Sequence, residues 1–156
     1  MKRREFVLTT LTLTALPFAR AHHGWSSFDQ ERVFYLQGKA ARVRWQNPHA
    51  ELELEVDAGM KLPPDLANRA LPPQSASVDG KALASKAQLP ARKDRKWTIE
   101  LAPLTRMEAW NVVEIKPGTE VSVLGFALRE AGAPAVLRAE YLFVDGKVYG
   151  LRSSPA

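Results

Sequence analysis

The chain has 156 residues, a formal net charge of +5, 46% hydrophobic content and no cysteine. Lacking a thiol, it cannot build a disulfide framework, a thiolate zinc site, an iron–sulfur cluster, a covalent haem or a cysteine nucleophile, so its core must hold it together. Much of the charge belongs to the first 21 residues, where Lys2, Arg3, Arg4 and Arg20 outnumber Glu5; the rest is only mildly basic, and nucleic acid is not an expected partner.

Met1 to Ala21 reads as an export signal. It has basic Lys2-Arg3-Arg4, an apolar run from Phe6 to Phe18, and small residues at Ala19 and Ala21 where a signal peptidase needs them. Arg3-Arg4-Glu5-Phe6-Val7-Leu8 resembles the twin-arginine motif, although general secretion fits the same features. The apolar run is too short to span a bilayer and no other approaches that length, so no membrane span is expected in the mature chain. The expected location is the periplasm or the medium. Cleavage after Ala21 would start the mature protein at His22, whereas a retained anchor would lock the His22 amine in a peptide bond.

Residues 22–156 are expected to form a single β domain. Ala41, Val43 and Trp45 alternate with Arg42, Arg44 and Gln46, and Leu52, Leu54 and Val56 alternate with Glu51, Glu53 and Glu55. Period-two alternation of this kind marks half-buried strands. With Asn47-Pro48 as the turn between them, Arg44 faces Glu51, Arg42 faces Glu53 and Val43 faces Leu52, matching apolar to apolar and cation to anion. Residues 58–94 differ in kind: Pro63-Pro64, Pro72-Pro73 and Pro90, with the basic cluster Arg92-Lys93-Asp94-Arg95-Lys96 at the far end, suggest a flexible, irregular insertion or a basic docking surface. Trp97, Ile99 and Leu101 predict a third strand, and Pro103 to Trp110 a short helix opened by proline. A valine- and leucine-rich strand over Thr119 to Leu128 follows. Val136 to Val144 and Lys147 to Leu151 then form a hairpin turned by Asp145-Gly146. The order predicts a five-stranded, partly open OB-like barrel with one short helix between strands 3 and 4; a small sandwich is the competing architecture.

The three histidines carry the available chemistry. His22 and His23 stand at the expected new terminus, and His49 follows the Asn47-Pro48 turn at the mouth of the first hairpin. The α-amine and imidazole of His22, joined by His49 or His23, give nitrogen donors without thiolate. That set suits a copper ion, with zinc as the alternative. The competing readings are a polar chain start and a histidine that hydrogen-bonds at its turn. Trp25, Trp45 and Trp110 read as core or rim aromatics, and Met60 and Met107 as gap fillers rather than soft ligands for reduced copper. No nucleophile elbow, phosphate-cradling loop or free acid–base pair is present, so no conventional enzyme is indicated, and copper-dependent redox activity remains a distant third reading.

Ala21-His22-His23-Gly24-Trp25, Gly38 to Val43, Trp45-Gln46-Asn47-Pro48-His49 and Pro103 to Trp110 together resemble a family of small secreted bacterial proteins of unknown function. Mature chains of that family begin Ala-His-His-Ser-Phe, and a Gly-x-Val strand, a Trp-x-Asn-Pro-His turn and a Pro-x-x-Leu-x-Arg-x-Gly-Trp segment follow. Gly24 stands for the usual serine and Ala109 for the usual glycine. The resemblance implies a secreted OB-like domain, singles out His22, His23 and His49, and brings no activity with it. The expectations are therefore a periplasmic copper-binding protein or, alternatively, a non-enzymatic adaptor for an envelope protein or glycan.

Overall fold

Arg44 pairs with Glu51, Val43 with Leu52 and Arg42 with Glu53 in the computed structural model, which describes residues 24–156. This is the register that the alternation requires, because a slip of one residue would turn every leucine outward. The two strands are β1 (Phe34–Arg44) and β2 (Glu51–Val56). A bulge at Ala41 shifts the register, and beyond it Ala40 pairs with Leu54 and Gly38 with Val56. β1 is long enough to serve two neighbours: its first half pairs antiparallel with β4 (Glu120–Ala127). At Gly38, where both neighbours meet β1, a Cβ would run into the backbone of Glu55, so only glycine allows the crossing.

β3 (Lys96–Glu100) lies beside β2, and β5 (Val136–Val144) beside β4. Thr98, Ile99 and Glu100 pair in parallel with Val136, Leu137 and Arg138, and this contact closes β1, β2, β3, β5 and β4 into a barrel. A helix, α2 (Leu104–Ala109), connects β3 to β4. The expected OB-like barrel with its one helix in that connection is therefore present, closed rather than partly open. A sixth strand, β6 (Lys147–Gly150), hairpins back along the half of β5 that β3 leaves uncovered. Its turn residues Asp145 and Gly146 have φ of 52° and 70°, the left-handed pair that a two-residue hairpin favours.

Leu36, Leu52, Leu54, Trp97, Ile99, Val123, Leu137 and Leu142 fill the barrel, and Met107 from α2 joins them. Each such side chain contributes about 1.5–3 kcal/mol on burial. A second cluster lies on the outside, where Tyr35, Leu124, Phe126, Tyr141 and Phe143 are covered by Leu66 and Ala84. Both covering residues come from the 58–94 segment, expected to be irregular. It instead carries a 3-10 turn at Leu66–Asn68 and the helix α1 (Gly80–Lys86), capped by the Asp79 side chain accepting from the Ala82 amide. Bridges from Gln88 to Phe34 and from Gln74 to Pro155 tie it down. Proline dominates a reading of its composition, but an Asp cap ahead of Lys81-Ala82-Leu83-Ala84 is a helix start. Covered on both sides, β5 is buried at every position. Among the described residues, no helix is long and apolar enough to cross a membrane.

Candidate functional site

A row of charge crosses one end of the barrel. Arg44 is paired with Glu51, Glu51 with Glu100, and Glu100 with Arg138, each on the next strand around. Arg44 Nη2 lies 2.6 Å from Glu51, and Arg138 reaches Glu100 at 2.6 and 3.1 Å. Glu100 shares its strand face with Thr98 and Lys96, yet it is buried, because the parallel closure lays Arg138 over it. His49, at the end of the β1–β2 loop, meets two members of the row. Its Nδ1 is 4.0 Å from Glu51, and its Nε2 is 3.4 Å from Arg138 Nη2. Guanidinium can only donate, so Nε2 accepts there; in the neutral ring Nδ1 then carries the proton and faces the Glu51 carboxylate.

A second buried carboxylate stands two residues beyond Arg138. Leu124 pairs with Tyr141 but Gly125 with Ala139, which leaves Glu140 as the extra residue of a bulge. Fully buried, its carboxylate accepts from Gln74 Nε2 at 3.2 Å and from Arg152 at 2.8 Å. Arg106 of α2 lies within the field of both Arg138 and Glu140 and donates to the Leu151 carbonyl at 3.0 Å. Burial holds its pKa below the ordinary arginine value, and Arg138 adds to that while Glu140 opposes it.

The chain start arrives at this end too. Trp25, in a 3-10 turn over Trp25–Ser27, has the Arg152 guanidinium 3.8 Å from its ring centre and that of Arg138 at 5.1 Å. The Asn47 side chain meanwhile accepts from the first amide of α2, Leu104, at 3.2 Å. Three stretches far apart in sequence thus converge: Gly24-Trp25, the loop ending in His49, and the α2 segment with Arg106.

Of the three predicted ligands, the fold places His49 in this centre, while His22 and His23 lie outside the described residues. Among the described residues, no group of three His, Asp or Glu side chains is arranged to hold a metal ion. Trp110 donates to the Ser153 carbonyl at 2.8 Å, Trp45 packs on the inner core, and Met60 Sδ accepts from the Gln37 amide. Sequence reasoning missed Glu100, Arg138 and Glu140. The signal was there in Leu137-Arg138-Ala139-Glu140-Tyr141, two charges two residues apart within an otherwise apolar strand.

A model for a family of unknown function (DUF6152) matches residues 11–61. The matched stretch runs past β2 and includes His22, His23 and His49. No curated protein and no solved structure matches the chain.

Proposed function

We propose that this is an exported, non-enzymatic metal-binding protein whose mature terminus delivers nitrogen ligands to His49, with copper the metal that the donors suit. The observation that carries the reading is the bridge made by Arg138, which touches the Trp25 ring on one side and His49 Nε2 on the other. Only His23 and Gly24 separate His22 from Trp25, and three residue steps reach at most about 11 Å. That span is the length available to bring the His22 amine and imidazole toward the His49 ring. Ligation through Nε2 requires the Arg138 N–H to give way, and the Glu51 carboxylate, 4.0 Å from Nδ1, then stands behind the ring as outer carboxylates do for ligating histidines. Nitrogen donors without thiolate favour divalent copper over the other first-row ions, with zinc second.

The test is copper titration of the mature chain beginning at His22, followed by electron paramagnetic resonance. A nitrogen-ligated signal at one equivalent is expected, reduced by one nitrogen in His49→Ala and weakened when Ala21 is retained. Affinity should fall in acid, because the α-amine, with an ordinary pKa near 7.7–8.0, must lose its proton to ligate. Absence of any nitrogen-ligated signal would overturn the reading. That result would favour an adaptor, in which Arg138 and His49 serve a protein or glycan contact, a role that the donor pressed against Nε2 supports.

A further inference from the structure

We propose that residues 72–77 form a flap, latched shut over Glu140 and Tyr141 by residues 153–156, a device that owes nothing to a metal. Gln74 is the only buried side chain in the flap, and no apolar one is buried with it. Hydrogen bonds must therefore hold the stretch in place. The Ser75 amide donates to the Ser154 carbonyl at 2.9 Å, the Ala76 amide to Ser153 Oγ at 2.8 Å, and the Ala156 amide to the Pro73 carbonyl at 3.4 Å. From beneath, the Tyr141 hydroxyl reaches the Pro72 carbonyl at 3.5 Å. Leu71 and Val78, at the two ends, pack into the outer aromatic cluster and mark the hinges. A stretch held by hydrogen bonds near solvent, over little buried apolar surface, opens at a small fraction of the global unfolding free energy.

Gln74 is the key of the latch. Its Nε2 donates to Glu140 Oε1 at 3.2 Å, and its Oε1 accepts from the Ser153 amide at 3.0 Å. One side chain thus joins flap, strap and buried carboxylate. It packs directly against Gly150 of β6, where a Cβ would overlap the Gln74 Cγ and Cδ atoms. The other half of the latch is fixed to the barrel. Arg152 donates to Glu140 at 2.8 Å, the Leu151 amide to the Glu140 carbonyl at 2.8 Å, and Trp110 to the Ser153 carbonyl at 2.8 Å. The flap is therefore the part that moves. Two clefts meet at Val78: one of about 550 Å³ reaches Ser77 and Arg152, the other of about 410 Å³ reaches Pro72, Pro73 and Tyr141. Release of the flap joins them and brings the Glu140 carboxylate and the Tyr141 phenol to water.

The experiment is amide hydrogen exchange on the wild-type chain, Gln74→Met and Gly150→Ala. In the wild type, the Ser75, Ala76 and Ser153 amides should share one level of protection, well below that of the barrel strands. Gln74→Met removes both bonds of the key at similar volume. Gly150→Ala pushes the same side chain aside without deleting a hydrogen-bonding group. In each variant, exchange at the Ser75 and Ala76 amides should accelerate together by roughly tenfold, the shift that follows loss of one hydrogen bond of ordinary net strength. Their own acceptors, on Ser154 and Ser153, are untouched, so independent hydrogen bonds would show no such change. The amides of β1 to β5 and of Leu151 should keep wild-type protection. Unchanged exchange at Ser75 and Ala76 would overturn the flap, and so would equal acceleration throughout the barrel, which would mean that no separate unit opens. If neither variant folds, the wild-type profile decides: strand-level protection at Ser75 and Ala76 rules the flap out. None of these readouts involves copper, so they stand or fall apart from the metal-binding reading.

Discussion

Glu53 and Lys96 meet 3.0 Å apart on the outer face of β2 and β3, with side chains 29% and 58% exposed. Glu100 and Arg138 meet at 2.6 Å across the seam where β3 closes on β5, with side chains 6% and 10% exposed. The chemistry is the same and the surroundings are not. Water and salt screen the outer pair, so it is worth about 0–1 kcal/mol. The inner pair sits where an uncompensated charge has no solvent to turn to, so each partner depends on the other. The barrel thus displays a charge ladder outside and depends on an ion pair at its seam, and only the second bears on the centre around His49.

That contrast can be broken at its strong end first. Arg138→Met should cost about 3–5 kcal/mol in chemical denaturation, because it leaves Glu100 buried without its cation. Adding Glu100→Gln should recover part of the loss; no recovery would mean that packing, not charge, sets the cost. Next, Gly125→Ala should destabilise by about 1–3 kcal/mol, as forced overpacking does. A Cβ there meets the Arg138 carbonyl and the Leu137 side chain on the strand that carries the centre. A calorimetric scan unchanged from wild type would show that β4 can move away. The smallest effect belongs to Glu53→Ala, at no more than about 1 kcal/mol and lost in 1 M salt. A larger or salt-insensitive cost would erase the distinction between the two regions.

Legibility in the sequence followed the same division. The β1–β2 register could be read from Arg42, Arg44, Glu51 and Glu53 because neighbours in a hairpin are neighbours in sequence, and both faces had to match. Asp145-Gly146 announced the last hairpin for an equally local reason. Glu100 looked like an ordinary outward position on an alternating strand, since nothing nearby in sequence says that residue 138 will cover it. Glu140 stood out as a charge in an apolar strand, but its burial was illegible for a related reason: a bulge is a mismatch between two strands, and one strand read alone does not reveal it. The α1 helix was hidden differently, by prolines on either side of a short cap-and-alanine stretch. His49 was found by its residue type and its turn, whereas Arg138, which meets its Nε2, comes from a strand 89 residues away.

The excursion between β2 and β3 leaves and returns on adjacent rungs, since Glu55 pairs with Lys96 and the Val56 amide donates to the Arg95 carbonyl. Topologically the whole stretch is a hairpin loop grown into a cover. Replaced by a short Asn-Gly turn, it should leave a stripped-down barrel with its strand order unchanged and with Tyr35, Leu124 and Phe143 bared to water. Such a miniature would be expected to self-associate through that face, which makes shielding it the structural task of the excursion.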